Sequence, residues 1–281
     1  MHILVTGAAG RIGRYIVDEL LSAGHRVLGA DLDSAAAKSA PHLQIDLTDA
    51  GQVYQALARA EADAVVHMGA WANAGLVADT RTYGDNVRGT YNLFQACADL
   101  GVKRIVSASS NQVYGIAYDP PLYAPLDEAH PLRPGNSYAL SKAAGEQAAA
   151  YFCANHGLEI LSFRIMGTRA PGEIASEIKQ IQTNPQQAAG LLWTRTDARD
   201  VAAACRLALE AAQVEPGPYH ITGPRVALDI DSAELLRRYC PQTEIRPGLE
   251  GCDSPLSCAK AERAFGYRPR YAWSVSQEHP E

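Results

Sequence analysis

Thr6-Gly7-Ala8-Ala9-Gly10-Arg11-Ile12-Gly13 is the stretch on which the reading of this 281-residue chain turns. It follows a short β-rich run, His2–Thr6, and opens a helical pattern over Ile12–Ala23. In that setting each glycine has its own use. Gly7 permits a tight turn, Gly10 lets the backbone approach a pyrophosphate, and Gly13 lets the helix pack closely on the strand. The helix amino end then offers N–H groups and a favourable dipole to phosphate oxygens. The spacing is G-x-x-G-x-x-G rather than G-x-G-x-x-G, so the strand before and the helix after give the motif its meaning. Asp31 closes the next β-rich run, 24 residues after Gly7, where a carboxylate can accept from both ribose hydroxyls. With Asp33 beside it, a 2′-phosphate would be repelled, which favours NAD over NADP; Arg11 works against that repulsion.

Outward from this motif, β-rich runs alternate with longer helical patterns. The predicted strands are His2–Thr6, Arg26–Ala30, Ala64–Met68, Arg104–Ala108 and Glu159–Ile165, and the predicted helices are Ile12–Ala23, Val53–Ala60, Tyr83–Leu100 and Tyr138–Asn155. Near-continuous apolar strands separated by helices predict an α/β fold, a Rossmann-type doubly wound parallel sheet with right-handed crossovers. Residues 1–165 read as the dinucleotide-binding domain. Residues 166–281, cut by Pro171-Gly172, Pro216-Gly217-Pro218 and Pro247-Gly248, read as a small C-terminal substrate-side lobe interleaved with it, with strands near Leu191–Trp193 and Tyr219–Thr222. The Pro-rich stretch from Asp119 to Gly135 reads as a long loop over the carboxyl edge of the sheet, where ligands sit in such folds.

Composition narrows the class. A hydrophobic fraction of 47% supports a substantial core, and a net charge of −6 without a basic run argues against nucleic acid. No leader pattern and no apolar run of membrane-spanning length are read, so the expectation is a cytoplasmic protein with no membrane partner. The six scattered cysteines include no C-x-x-C pair, and nothing around them suggests a metal.

The second decisive segment is Tyr138-Ala139-Leu140-Ser141-Lys142. Four-residue spacing puts Tyr138 and Lys142 on one helical face, and a nearby ammonium favours the phenolate, moving the phenol down from about 10. Ser107-Ala108-Ser109-Ser110-Asn111-Gln112 leaves another predicted strand at the same sheet edge as the glycine loop, so a serine there can hold the oxygen whose proton Tyr138 transfers. Taken singly, the Tyr–Lys pair is a surface pair and the serines are an ordinary strand end. Their coincidence with the glycine motif gives them weight.

With these residues in hand, the chain resembles the extended short-chain dehydrogenase/reductase family of NAD-dependent sugar epimerases, dehydratases and dehydrogenases. The likeness runs through residues 6–13, Asp31, Asp46-Leu47, His67-Met68-Gly69-Ala70, Asn86, the serine segment and Tyr138–Lys142 to Arg199-Asp200-Val201 and Lys260…Pro269. It implies Ser110, Tyr138 and Lys142 as the catalytic set. It implies cofactor contacts through the glycine loop with Arg11 and Ile12, through Asp31, Asp46, Leu47, Met68, Gly69, Ala70 and Asn86, and from Tyr138 and Lys142. Dehydratases of the family carry Thr-Asp-Glu where this chain reads Ser110-Asn111-Gln112, which argues against water elimination. Only about 35 residues separate the Arg164 and Arg199 regions, shorter than in nucleotide-sugar epimerases and similar to uronate dehydrogenases. The arginine those enzymes use for a carboxylate has no clear counterpart around Gly172–Ser176; Arg169 and Arg195 are the substitutes available. Asn111, Gln112, Thr168 and Arg195 are expected to bind substrate, with Trp71 and Asn73 as further liners. The expected reaction is epimerisation or net oxidation of a sugar or sugar derivative, with a non-catalytic NAD-binding regulator as the other class. The helices near 79–100 and 138–156 would supply a homodimer seam as in related enzymes, although their alanine-rich faces fit packing within one chain equally well.

Overall fold

The computed structural model describes residues 1–33 and 39–275. The elements of the first half are β1 (His2–Thr6), α1 (Gly13–Ser22), β2 (Arg26–Asp31), β3 (His42–Gln44), α2 (Ala50–Ala60), β4 (Ala64–His67), α3 (Asp79–Leu100) and β5 (Arg104–Ser110). They continue with β6 (Tyr123–Ala124), α4 (Ser137–His156), β7 (Glu159–Ile165), β8 (Thr168–Arg169), α5 (Ile174–Thr183), α6 (Pro185–Ala188) and β9 (Thr196–Asp197). The last are α7 (Ala198–Glu210), β10 (Gly217–Ile221), α8 (Ser232–Tyr239), β11 (Glu244–Ile245) and α9 (Ala259–Phe265). Among the described residues seven strands form one sheet in the order β10-β7-β5-β4-β1-β2-β3, and their pairings are parallel. The strand order reverses between β1 and β4, the place where an open α/β sheet leaves a crevice at its carboxyl edge.

Strand alternation sorts the core into two layers. Ile3 and Val5 of β1, Val66 of β4 and Phe163 of β7 face one side, packed with α1, α7 and α9; Phe163 stacks on Phe265 at 5.7 Å. Leu4, Val65 and Ile105 face the other side, with α2, α3 and α4. Each such fully buried apolar side chain contributes ~1.5–3 kcal/mol by burial, and truncating buried Phe94 to Ala would cost ~3–5 kcal/mol. Caps fix the helix ends: Asn136 accepts from the Ala139 N–H at 2.8 Å to start α4, and Gly101 (φ 77°) closes α3.

The chain after Ile165 does two jobs. Helices α7 and α9 and strand β10 complete the central sheet and its core, so the strand expected near Tyr219–Thr222 is the seventh strand and not part of a lobe. The remaining elements build a separate apolar cluster around Trp193, Leu192, Ile178, Val226 and Leu236. Leu191–Trp193 is not a strand. A 3-10 turn over Ala189–Leu191 runs into Leu192 and Trp193, both at positive φ (47° and 54°), which cannot continue a ladder. The Pro-rich stretch is likewise more than a loop, because Tyr123–Ala124 pairs in parallel with Glu244–Ile245 and ties it to the lobe. The short β3 lies outside the sequence-predicted elements, and α3 begins at Asp79, the earlier of the two starts (Asp79 and Tyr83) that the sequence offered. Three residues of strand are too few to show a period, and the polar first turn of α3 masks its apolar face.

Candidate active site

A cleft of about 640 Å³ runs along the carboxyl edge of the sheet, within the range of small-molecule sites. Its walls include Gly7, Gly10, Arg11, Ile12 and Gly13 at one end and Ser110, Tyr138 and Lys142 further along. The glycines divide as their positions require. Gly7 sits at φ 68°, and a Cβ there would lie 2.6 Å from the Gly69 nitrogen; a Cβ on Gly13 would lie 2.0 Å from the Gly7 carbonyl oxygen. Both are packing requirements. A Cβ on Gly10 would meet only the Gly7 oxygen at 3.1 Å, so this position is bare for the sake of what enters the cleft. That open cradle at the amino end of α1 fits a diphosphate.

Asp31 stands where β2 ends. One carboxylate oxygen accepts from the Ala9 N–H at 2.9 Å, which ties this acid to the glycine loop. Asp46, Leu47, Met68, Gly69 and Ala70 also line the cleft, the Asp46 carboxylate accepting from Thr48 at 2.8 Å. Asn86 borders it too, but its amide is spent within the protein. It accepts from the Trp71 N–H at 2.8 Å and donates to the Trp71 carbonyl and the Ser141 hydroxyl, both at 3.1 Å. Its work is to hold the 70–71 turn against α4.

Ser110, Tyr138 and Lys142 come together where β5 meets α4. Ser110 ends β5, buried, its hydroxyl accepting from the Gln112 N–H at 3.2 Å, and it lines the cleft together with the Tyr138 phenol. The Lys142 ammonium donates to the Ala108 carbonyl at 2.8 Å and lies 5.7 Å from the Tyr138 ring centre. The protonation balance differs from the expectation drawn from spacing. Burial pushes Tyr138 up to about 12, with the Ser110 hydroxyl pulling the other way, and burial draws Lys142 down to about 8. Desolvation leads at both groups, favouring the neutral phenol and the neutral amine over their charged forms. His67, between Thr6 (2.7 Å) and Thr90 (3.1 Å), is held neutral by burial, at about 3.

At the far end of the cleft lie Trp71, Asn73, Asn111, Gln112, Thr168, Arg169 and Leu191. Gln112 is clamped: it donates to Asn73 and accepts from Asn136, both at 3.1 Å. Arg195 does not reach the cleft. It is buried beside the lining residues, donating to Glu177 at 2.5 Å and to the Thr194 carbonyl at 2.9 Å, unlike Asn111, Gln112 and Thr168, which line the cleft. Arg169 lines the cleft, as do Arg11 and Arg81; it shares Glu177 with Arg195, at 2.8 Å, so two cations rest on one carboxylate. Arg11, read from the sequence as a cation that offsets the repulsion of a 2′-phosphate, lines the cleft and meets Glu173 at 3.1 Å. Sequence reading missed Arg169 as a lining residue in its own right, Leu191, and the Asn136–Gln112–Asn73 clamp; the capping pattern at Asn136 was the one local signal available.

With the geometry in place, comparison defines the class. The model of the NAD dependent epimerase/dehydratase family matches residues 3–222, and the chain belongs to that family. Among its relatives is the uronate dehydrogenase of Pseudomonas putida, 31% identical over 167 residues, an alignment covering 58% of this chain and 60% of that one. The L-arabinose 1-dehydrogenase (NAD(P)(+)) of Haloferax volcanii is 28% identical over 278 residues, 96% of each chain. Among solved structures, the UDP-glucose 4-epimerase of Thermus thermophilus in complex with NAD superposes with a TM-score of 0.68 at 25% identity, covering 97% of this chain and 95% of that one.

Proposed function

We propose that the protein is an NAD-dependent oxidoreductase or epimerase acting at a carbinol carbon of a sugar or sugar derivative. The observation that carries this reading is the convergence of Ser110, Tyr138 and Lys142 on one wall of the cleft whose other end is the glycine cradle. Gly10 and the first turn of α1 receive the diphosphate, and Asp31 accepts from the adenosine ribose hydroxyls. The bound cofactor supplies the hydride acceptor. Ser110 holds the substrate hydroxyl, Tyr138 takes its proton, and Lys142, oriented by the Ala108 carbonyl, stabilises the phenolate and keeps two donors for a ribose hydroxyl. In the reverse sense Tyr138 returns the proton to the carbonyl oxygen.

A second, finer reading is net oxidation of a free sugar acid. Arg169 favours it, because two guanidiniums on Glu177 leave one net positive charge at the substrate end. Incubation with NAD and D-glucuronate, D-galacturonate, L-arabinose or UDP-glucose, followed by absorbance of reduced cofactor, separates the outcomes. Net reduced cofactor means a dehydrogenase, and a new stereoisomer without it means an epimerase. Tight NAD binding with no turnover would defeat the enzymatic reading in favour of a regulator. The homodimer belongs here too. The packed helices α3 and α4 leave Tyr83, Tyr91, Leu140 and Tyr151 exposed, and a mass near twice 30.1 kDa by light scattering is the expected result. The six free cysteines fit a reducing, cytoplasmic setting.

A further inference from the structure

We propose that Ser109 and Glu146 form a positioning pair that sets the separation of the Ser110 hydroxyl from the Tyr138 phenol; the proposal rests on Tyr138 being the acid–base group. Helix α4 places Tyr138, Lys142 and Glu146 at successive four-residue steps along one face. Strand β5 ends in Ala108, Ser109 and Ser110. Each of these three strand residues meets one of the three helix residues. Ser110 meets Tyr138, the Ala108 carbonyl accepts from Lys142 at 2.8 Å, and the Ser109 hydroxyl donates to a Glu146 carboxylate oxygen at 2.5 Å. The first two contacts belong to the acid–base group. The third lies one helical turn further on and touches no reacting atom.

Glu146 is itself immobilised. Arg164 of β7 grips it through both carboxylate oxygens, at 2.9 and 2.6 Å, and Arg164 is the direct neighbour of Ser109 across the sheet. Arg164 donates in turn to the Tyr114 hydroxyl at 2.6 Å and the Glu128 carbonyl at 2.9 Å. Because the His220 Nδ1–H donates to the Ser257 carbonyl at 3.1 Å, its Nε2 accepts from Tyr114 at 2.5 Å, and the chain of donors is consistent in direction. A buried ion pair gains little net stability, since desolvation offsets attraction. Placed under the end of β5, however, it prevents α4 from sliding or turning against the strand that carries Ser110. A displacement of about 1 Å in such a site can cost about a hundredfold in rate.

The test is Ser109→Ala, which removes the strand-to-helix tie and leaves Glu146 on Arg164. With the sugar that turns over fastest among those named above, kcat should fall about ten- to a hundredfold while KM, NAD affinity and Tm stay close to wild type. Ser109→Thr, which keeps the hydroxyl, should recover most of the loss. Wild-type kcat in Ser109→Ala, an equally slow Ser109→Thr, or a loss tracking weakened NAD binding or a collapsed Tm would overturn the pair. Tyr138→Phe in the same assay keeps the two ideas apart. Full turnover there defeats the acid–base reading itself, as does the lack of turnover with every sugar. An inactive Tyr138→Phe beside a fully active Ser109→Ala defeats only the positioning pair.

Discussion

The nucleotide half and the substrate-side cluster lie against one cleft but are built by different means. The first uses five- to seven-residue strands such as β1, β2 and β5, with caps and glycines at fixed offsets. The second uses two-residue strands such as β6, β8, β9 and β11, the helices α5, α6 and α8, and left-handed residues at Leu192 and Trp193, held by contacts between distant segments. Gly7 and Gly13 are fixed by neighbours a few residues away or across one strand, whereas Arg169 and Arg195 depend on a helix, α5, that carries Glu177. Local rules therefore shape the cofactor end, and long-range packing shapes the substrate end.

Two glycine substitutions would break or sharpen that contrast most strongly. Gly13→Val has no room, so it should destabilise the fold and abolish NAD binding together. Gly10→Ala meets only the Gly7 carbonyl oxygen, at 3.1 Å, so it should cost far less stability than Gly13→Val while weakening NAD binding measured by calorimetry. If both lose stability equally, the open cradle is no more than packing. On the substrate side, Glu177→Ala leaves Arg195 buried without its carboxylate and should cost ~3–5 kcal/mol by denaturant titration, more than Gly10→Ala. Asp31→Ser should shift the NAD-to-NADP ratio of kcat/KM towards NADP by about tenfold or more, equivalent to ~1.4 kcal/mol.

The smallest effect concerns Asp200, which accepts from the Arg270 and Tyr271 N–H groups at 2.9 and 3.1 Å and so holds the 270–271 segment on α7. Burial raises its carboxyl to about 6 from an unfolded value near 3.8. The folded state thus holds the proton more tightly, and this contribution is lost as pH rises from about 4 to 6. The difference in stability between wild type and Asp200→Asn should decline across that window. A flat difference would mean that the two backbone donors outweigh desolvation.

Legibility in sequence follows the same divide. The alternation of apolar strands and helices, the 6–13 motif, Asp31 and the Tyr138–Lys142 spacing each depend on residues close in the chain, and all these positions line one cleft. What spacing did not reveal depends on partners far away. Arg195 read as an available cation until Glu177 was seen to bury it, and Leu191–Trp193 read as a strand because its apolar run hides two left-handed residues. The state of Tyr138 was misjudged for a related reason. Counting a charge at four residues' distance sees the lysine but not the burial that raises the phenol.

The most direct test is Tyr138→Phe, assayed for NAD binding by titration and for turnover with a sugar on which the wild-type protein acts. The account predicts unchanged affinity and a kcat reduced about 10²- to 10⁴-fold, the usual contribution of a positioned acid–base group. Turnover at the wild-type rate with NAD bound would contradict it.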